Sequence, residues 1–331
     1  MNKTQVIING DDFGKSPEVN EAVIRSFRAR TLTSCSLMVT GDAFEHAVRL
    51  ALEHPDLAVG IHLVTVQGKA VLPYLEIPNL VDREGRFPQS PTAAGLKYYF
   101  LKKARRQLKR ELTAQFQRFH ATGLQLSHVD SHLHMHVHPV VFAVAVELAE
   151  RYGARRMRVP RDDFQLAVRF HRAGTRKQQS SIRSPEVARG RGGESETRRH
   201  NVENPVWPPF LKGGWGDFLG GAFTDLIFQL LTRRMKRRLL DHGFSFADRV
   251  YGHFYSGHMT REYVLFILDH LSTRTNEIYF HPEKLGNGIE IRPDWRHAAR
   301  EFEVLTDGNI QKRLHDPDIN LTNYLGLTHN Q

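Results

Sequence analysis

Thr4-Gln5-Val6-Ile7-Ile8-Asn9-Gly10-Asp11-Asp12-Phe13-Gly14-Lys15-Ser16-Pro17-Glu18 sets the architecture of this chain. The apolar run over 4–9 stops at a Gly-Asp-Asp turn, which marks a buried strand. Ser16 before Pro17 is an N-cap with proline in the first helical turn, so a helix follows at once. The strand-then-helix unit recurs. Ser36–Val39 and Leu57–Leu63 are strand patterns, with a helix over Asp42–His54 between them. The spacing predicts one long helix over Ala93–His120, with Leu101, Ala104, Leu108, Leu112, Phe116 and Phe119 on a single face. Leu126–Asp130 and Arg155–Val159 are expected strands around a helix over Pro139–Tyr152; Arg249–Tyr255 and Glu277–Phe280 flank another near Tyr263–Leu271. Strands alternating with helices make the class α/β with a mostly parallel sheet. We expect a distorted (β/α) barrel with helices outside, because polar residues recur where the expected strands end. In such a barrel that edge carries the active site.

Composition excludes several classes. The chain has 331 residues, 40% hydrophobic and 25% charged, which is unlike collagen, coiled coils or fully disordered chains. Its one cysteine, Cys35, cannot form an intrachain disulfide or a multi-cysteine zinc site. Lys and Arg exceed Asp and Glu by 46 − 36 = 10, which favours anionic partners without fixing a fold. No nucleic-acid-binding module or phosphate loop is visible, so nucleic acid is not an expected partner. No apolar run nears the ~20 residues of a membrane span. The strand pattern begins within a few residues of Met1, so no signal peptide is expected and the location expected is cytoplasmic. Phe170–Asn204 carries eight Lys/Arg, four Asp/Glu and little aliphatic periodicity. It is expected to be a disordered insertion, at about 170–215, interrupting a single domain over 1–331.

The chemistry concentrates in His128-Val129-Asp130-Ser131-His132-Leu133-His134-Met135-His136-Val137-His138-Pro139. On a strand end, alternate residues face one way, so His128, Asp130 and His132 can converge. Imidazole is the commonest metal ligand, and a nearby carboxylate fixes its tautomer. Not all five histidines can be ligands; a histidine-rich surface loop is the bland alternative. Asp11 and Asp12 at a strand end suit a division of labour, one binding a metal and the other acting as a base. Alone, an Asp pair at a turn is an ordinary helix-start device. His62 in Gly60-Ile61-His62-Leu63 and His281 in Tyr279-Phe280-His281-Pro282 add histidines inside or at the end of apolar strands. A carboxylate and two imidazoles with open positions suit one divalent ion, Mg²⁺ or Zn²⁺ first among them, and make hydrolysis the economical chemistry.

The set Asn-Gly-Asp-Asp-Phe-Gly (9–14), Val-Gly-Ile-His-Leu (59–63), His-Val-Asp-Ser-His-Leu-His-Met-His (128–136) and Phe-His-Pro (280–282) resembles the YdjC-type carbohydrate deacetylases. Ser256-Gly257-His258-Met259-Thr260 and the general spacing are most similar to the hopanoid-biosynthesis-associated deacetylase among them. The resemblance covers about 1–163 and 219–327. It implies a distorted barrel and metal-dependent removal of an N-acetyl group from an amino sugar, here a lipid-linked (hopanoid) N-acetylglucosamine. Soluble chitooligosaccharides, or the chemistry of a metal-dependent phosphoesterase or sugar isomerase on a similar barrel, are the alternatives. Carried over, Asp12, His62 and His132 would bind the metal. Asp11 would be the general base and His281 the general acid. His128 and Asp130 would support the ligands, while His134, His136 and His258 would line the substrate cleft. A lipid-linked substrate would also suit two basic amphipathic helices, with Lys102, Lys103, Arg105, Arg106, Lys109 and Arg110 in one and Arg233, Arg234, Lys236, Arg237 and Arg238 in the other. They are either barrel helices packed inward or a contact with an anionic membrane.

Overall fold

The computed structural model describes residues 3–161, 165–173, 215–253, 255–284 and 295–327, with backbone alone over 215–226 and 295–296. The expected strand-helix alternation is present. β1 (Thr4–Phe13), α1 (Pro17–Arg28), β2 (Ser34–Leu37), α2 (Phe44–Leu52) and β3 (Ala58–Leu63) come first. α3 (Pro91–Phe100), α4 (Lys102–His120), β4 (Val129–Ser131) and α5 (Pro139–Arg151) follow. After a helix α6 (165–173) come α7 (Trp215–Asp241), β5 (Arg249–Tyr251), α8 (Arg261–Asp269), β6 (Thr275–Phe280), α9 (Trp295–Leu305), α10 (Gly308–Leu314) and β7 (Ile319–Thr322).

All strand pairs are parallel, in the order β4-β3-β2-β1-β6-β5, with β7 beside the first half of β1. The sheet curls into a half-barrel with helices outside. Parallel strands covered by helices bury both faces, so β1, β2, β3 and β6 are apolar or buried almost throughout. The expected strand Arg155–Val159 is not a regular one. It lies between the two sheet edges: Val129 donates to the Arg156 carbonyl and Arg158 to the Val129 carbonyl (both 3.0 Å), while Met157 and Val250 donate to Ser245 and Arg161 carbonyls (3.2 and 3.1 Å). This seam joins β4 to β5 with few bonds, and it brings Arg158 into the interior.

One expectation needs correction. The single helix over 93–120 is two, broken at extended Leu101. Arg105 explains the break, because its guanidinium takes up the carbonyls of Tyr98 and Tyr99 that end α3. The expected insertion, at about 170–215, falls mostly beyond α6. Phe170 lies within α6, its ring packed against Tyr255, Tyr263 and Phe266 at 4.9–6.0 Å. Residues 174–214, where the rest of that expectation falls, lie outside the described residues. Among the described residues no helix is long and apolar enough to cross a membrane.

Gly60 shows how tightly the core around the later site is packed. A methyl group there would lie 2.4 Å from the His128 imidazole, which is itself stacked on Tyr324 at 3.7 Å between ring centres. We therefore expect Gly60→Ala to destabilise the fold by about 1–3 kcal/mol, the usual cost of overpacking. Denaturant unfolding measures it, and an unchanged midpoint would show that the ring can move aside.

Candidate active site

Successive residues on a strand point to opposite faces, so two neighbouring aspartates should not both enter the barrel. Here they do. The register of β1 against β2 slips between Gly10 and Phe13, and Asp12 has φ 63°. That bulge turns Asp12 inward beside Asp11, leaving both buried. A non-glycine residue in this left-handed region costs stability and is a common mark of functional sites.

Three side chains meet at Asp12. Its Oδ1 lies 3.3 Å from Nε2 of His62 and 3.1 Å from Nδ1 of His132; its Oδ2 receives the Lys15 ammonium at 3.0 Å. His62 leaves β3 where it pairs with β4, with Asp130 as its registered partner. Nδ1–H of His62 donates to Asp130 Oδ1 at 2.8 Å, so Nε2 is the nitrogen turned toward Asp12. That Nε2 is a buried atom with no hydrogen-bond partner. His132 opens a 3-10 turn, His132–Val137, in which Leu133 and His134 have φ 51° and 54°. Ser131 fastens the turn by accepting from the His136 backbone N–H (2.8 Å) and bonding to His136 Nδ1 (2.6 Å). His136 Nε2–H in turn donates to the Arg158 carbonyl at 3.0 Å.

Arg158 is the second focus. Its guanidinium clamps Asp11 with two bonds of 2.6 and 2.7 Å, reaches Asp130 Oδ2 at 2.9 Å and donates to Glu277 at 2.8 Å. Tyr279 lies under it, with the ring centre 4.6 Å away. Asn9 adds a bond to Asp11, Ser36 one to Asp130, and the Tyr324 hydroxyl donates to Glu277. Asp11, Asp130 and Glu277 are thus three buried carboxylates on one buried guanidinium, with the buried carboxylate of Asp12 paired elsewhere. Burial alone would raise every carboxyl, yet Asp12 and Asp130 are held well below the ordinary range. Lys15 and His132 do this for Asp12, and Arg158 and His62 for Asp130. Glu277 stays raised, since its burial outweighs Arg158. Burial works against charge on His62, but the adjacent carboxylates of Asp130 and Asp12 push it up to about 10. Oxygen and nitrogen donors that converge on one point, surrounded by excess negative charge, suit a divalent cation, which would replace that proton. Asp12, His62 and His132 can all place a ligand atom within 4.8 Å of one another, so they fit such an ion.

A family profile described as YdjC-like protein matches residues 5–316. The chain belongs to the YdjC-like family. It is 43% identical over 148 residues to a carbohydrate deacetylase of Brevibacillus brevis, a match covering 45% of this chain and 56% of that one. With a carbohydrate deacetylase of Geobacillus stearothermophilus it shares 46% identity over 147 residues, 44% of this chain and 56% of the other. The chain thus spans a little over half the length of these relatives. A solved Enterococcus faecalis protein named for cellobiose-phosphate cleavage superposes with a TM-score of 0.63 over 97% of this chain and 98% of its own, at 22% identity, and shows the fold.

The remaining candidates in this YdjC-like chain divide. His281 follows β6, which pairs Phe280 with Gly10, so His281 and Asp11 leave the sheet at the same edge. Its side chain is 33% exposed, its N–H donates to the buried carboxylate of Glu301 at 2.6 Å, and its Nδ1 lies 3.9 Å from the same oxygen. Glu301 also accepts from the Gly257 N–H and so ties the 255–259 loop to the end of β6. His258 is on that loop, its ring 4.2 Å from His297. His134 bonds to the Tyr279 hydroxyl at 3.0 Å. One cluster member does not converge as alternation suggests. His128 packs against Gly60, Tyr324 and Ser127. His136 is fully buried beneath the turn, with both ring nitrogens bonded by the chain. Arg158, Glu277 and Glu301 lie outside every motif of the sequence. The one signal for the first two was a charged residue inside an apolar strand pattern, in Met157-Arg158-Val159 and Glu277-Ile278-Tyr279.

Removing Arg158 leaves Asp11 and Glu277 with no cationic partner and Asp130 with His62 alone. Arg158→Met should cost about 3–5 kcal/mol, read from the unfolding midpoint, as for other broken buried pairs. Wild-type stability would refute the clamp. Acid should weaken the fold for a related reason. Burial depresses His128 to about 3 and His136 to about 4, so both are neutral when folded but protonate once unfolded below their ordinary 6.5. The unfolded state therefore binds up to two more protons between these limits. Unfolding free energy should fall with pH there, at up to about 2.7 kcal/mol per pH unit. His128→Gln should flatten that slope in a urea series, and an unchanged slope would remove His128 from the account.

Proposed function

We propose that this chain is a metal-dependent hydrolase that removes the N-acetyl group of an amino sugar. One observation carries the proposal: Asp12, His62 and His132 converge, and Asp130 holds His62 in the tautomer that presents Nε2 to the same point. The carbohydrate deacetylases to which the chain is similar support the substrate class. A divalent ion held there, with two imidazoles favouring Zn²⁺ over the alternative Mg²⁺, would polarise the amide carbonyl and acidify water.

The protein groups divide the proton work. Arg158 and Asn9 hold Asp11 in place, and their three bonds leave one of its four lone pairs, on Oδ2, to accept a proton from the attacking water. Nitrogen leaves an amide only when protonated, and His281 is placed to do it, its ring beside the buried carboxylate of Glu301. Asp130 supports His62, and His134 and His258 border the cleft. Arg158 also argues against a two-metal phosphoesterase, since it already occupies the carboxylates of Asp11 and Asp130 that a second ion would need. Within the class, a lipid-linked (hopanoid) N-acetylglucosamine is the finer proposal, and soluble chitooligosaccharides are its rival.

Asp12→Ala and His132→Ala are each expected to lose bound metal, by elemental analysis, together with acetate release. Asp11→Asn should keep the metal and lose about 10²–10⁴ in turnover, the usual worth of a general base. An Asp11→Asn protein without metal, beside an Asp12→Asn protein that retains it, would exchange the two roles. Assaying an N-acetylglucosaminyl hopanoid against chitooligosaccharides decides the substrate.

A further inference from the structure

Residues 91–110 contain Lys97, Lys102, Lys103, Arg105, Arg106, Lys109 and Arg110 and no Asp or Glu. The break between α3 and α4 forms a corner in this stretch. Leu96, Tyr99, Phe100 and Leu101 are all exposed there, Leu96 to 56% and Phe100 to 69%. Barrel packing does not account for them, because α4 buries a different set against the core: Ala104, Leu108, Leu112, Phe116 and Phe119. The cations are not explained by pairing either. Lys109 meets Glu147 and Arg110 meets Glu76, but among the described residues no carboxylate lies within ion-pair distance of Lys97, Lys102, Lys103 or Arg106. Lys102 and Lys103 also occupy the first turn of α4, where the helix dipole disfavours positive charge and no side chain caps the backbone.

We propose that the α3–α4 corner seats the protein on an anionic lipid bilayer. Aromatic and aliphatic side chains beside unpaired lysines and arginines are the composition of an interfacial contact, the rings entering the headgroup boundary and the cations meeting lipid phosphates. Charge selects this occupant over a second copy of the chain, which would set the same cations against each other. The corner adjoins the candidate active site. Tyr98 and Tyr99 both pack on His138, which ends the His132–Val137 turn, and Leu133 on that turn is exposed. A bilayer seated on the corner lies next to the turn that holds His132. The contact stands on residues outside the catalytic set and does not depend on the reaction proposed above.

α7 plays another part. Met235 and Leu239 are buried under it, while Arg234 and Arg238 share a cleft with Glu147 and Glu150 of α5. It therefore supplies the control. In cosedimentation, the full chain is expected to bind vesicles of phosphatidylcholine with phosphatidylglycerol, to release them as salt rises, and to ignore phosphatidylcholine alone. Lys102→Gln/Lys103→Gln/Arg106→Gln should weaken binding on the order of a hundredfold, from about fivefold per cation near the surface. Tyr99→Ser/Phe100→Ser should weaken it at least about tenfold. Arg234→Gln/Arg238→Gln should leave it unchanged. Thermal melting should be the same for all, since these side chains are exposed. Equal binding to neutral vesicles, no binding, or loss only with the α7 pair would overturn the proposal. So would a dimer in sedimentation velocity that Tyr99→Ser/Phe100→Ser dissolves, which would give the corner to a second copy.

Discussion

One guanidinium organises the interior of this barrel. Arg158 reaches Asp11 on β1, Asp130 on β4 and Glu277 on β6, so three strands share a single buried cation. Each carboxylate then does something further. Asp130 orients His62, Asp11 is tied to Asn9, and Glu277 is braced by Tyr324. Burial makes these contacts obligatory, because an unpaired charge in such a place costs several kcal/mol. The electrostatic arrangement and the barrel geometry are therefore one design: a strand out of place would strand a charge.

The same economy governs the two aspartates. A regular strand would send Asp12 to the outer face. The bulge accepts a left-handed residue so that one strand end delivers two carboxylates, one to Arg158 and one to the histidine pair. The strained turn after β4 acts likewise, presenting His132 while Ser131 and His136 hold the backbone that carries it.

Much of this was legible in the residues themselves. The alternation of apolar strands with capped helices indicated a parallel α/β barrel, and the polar residues at strand ends marked the edge where Asp12, His62 and His132 meet. Local patterns could not show what depends on closure. Arg158 and Glu277 look like ordinary charged residues in short strands until the seam brings them face to face. Leu101 sits on the helical face of a continuous pattern, and only Arg105 folding back onto α3 reveals why the helix stops there. His136 belongs to the histidine cluster by spacing, yet its two hydrogen bonds are spent on Ser131 and the Arg158 carbonyl.

The seam around Arg158 has a dynamic consequence. It is joined to its neighbours by isolated bridges, Val129 with Met157 and Arg156 with Ser245, whereas β1 and β6 share a six-residue register. Walls with few ladder bonds open by local unfolding more readily than continuous ones. The most loosely stitched stave thus carries the central cation, and what keeps it shut is charge more than backbone. Neutralising the carboxylates should therefore unzip the molecule from this side first, with amide protons of 155–161 exchanging ahead of those in β1.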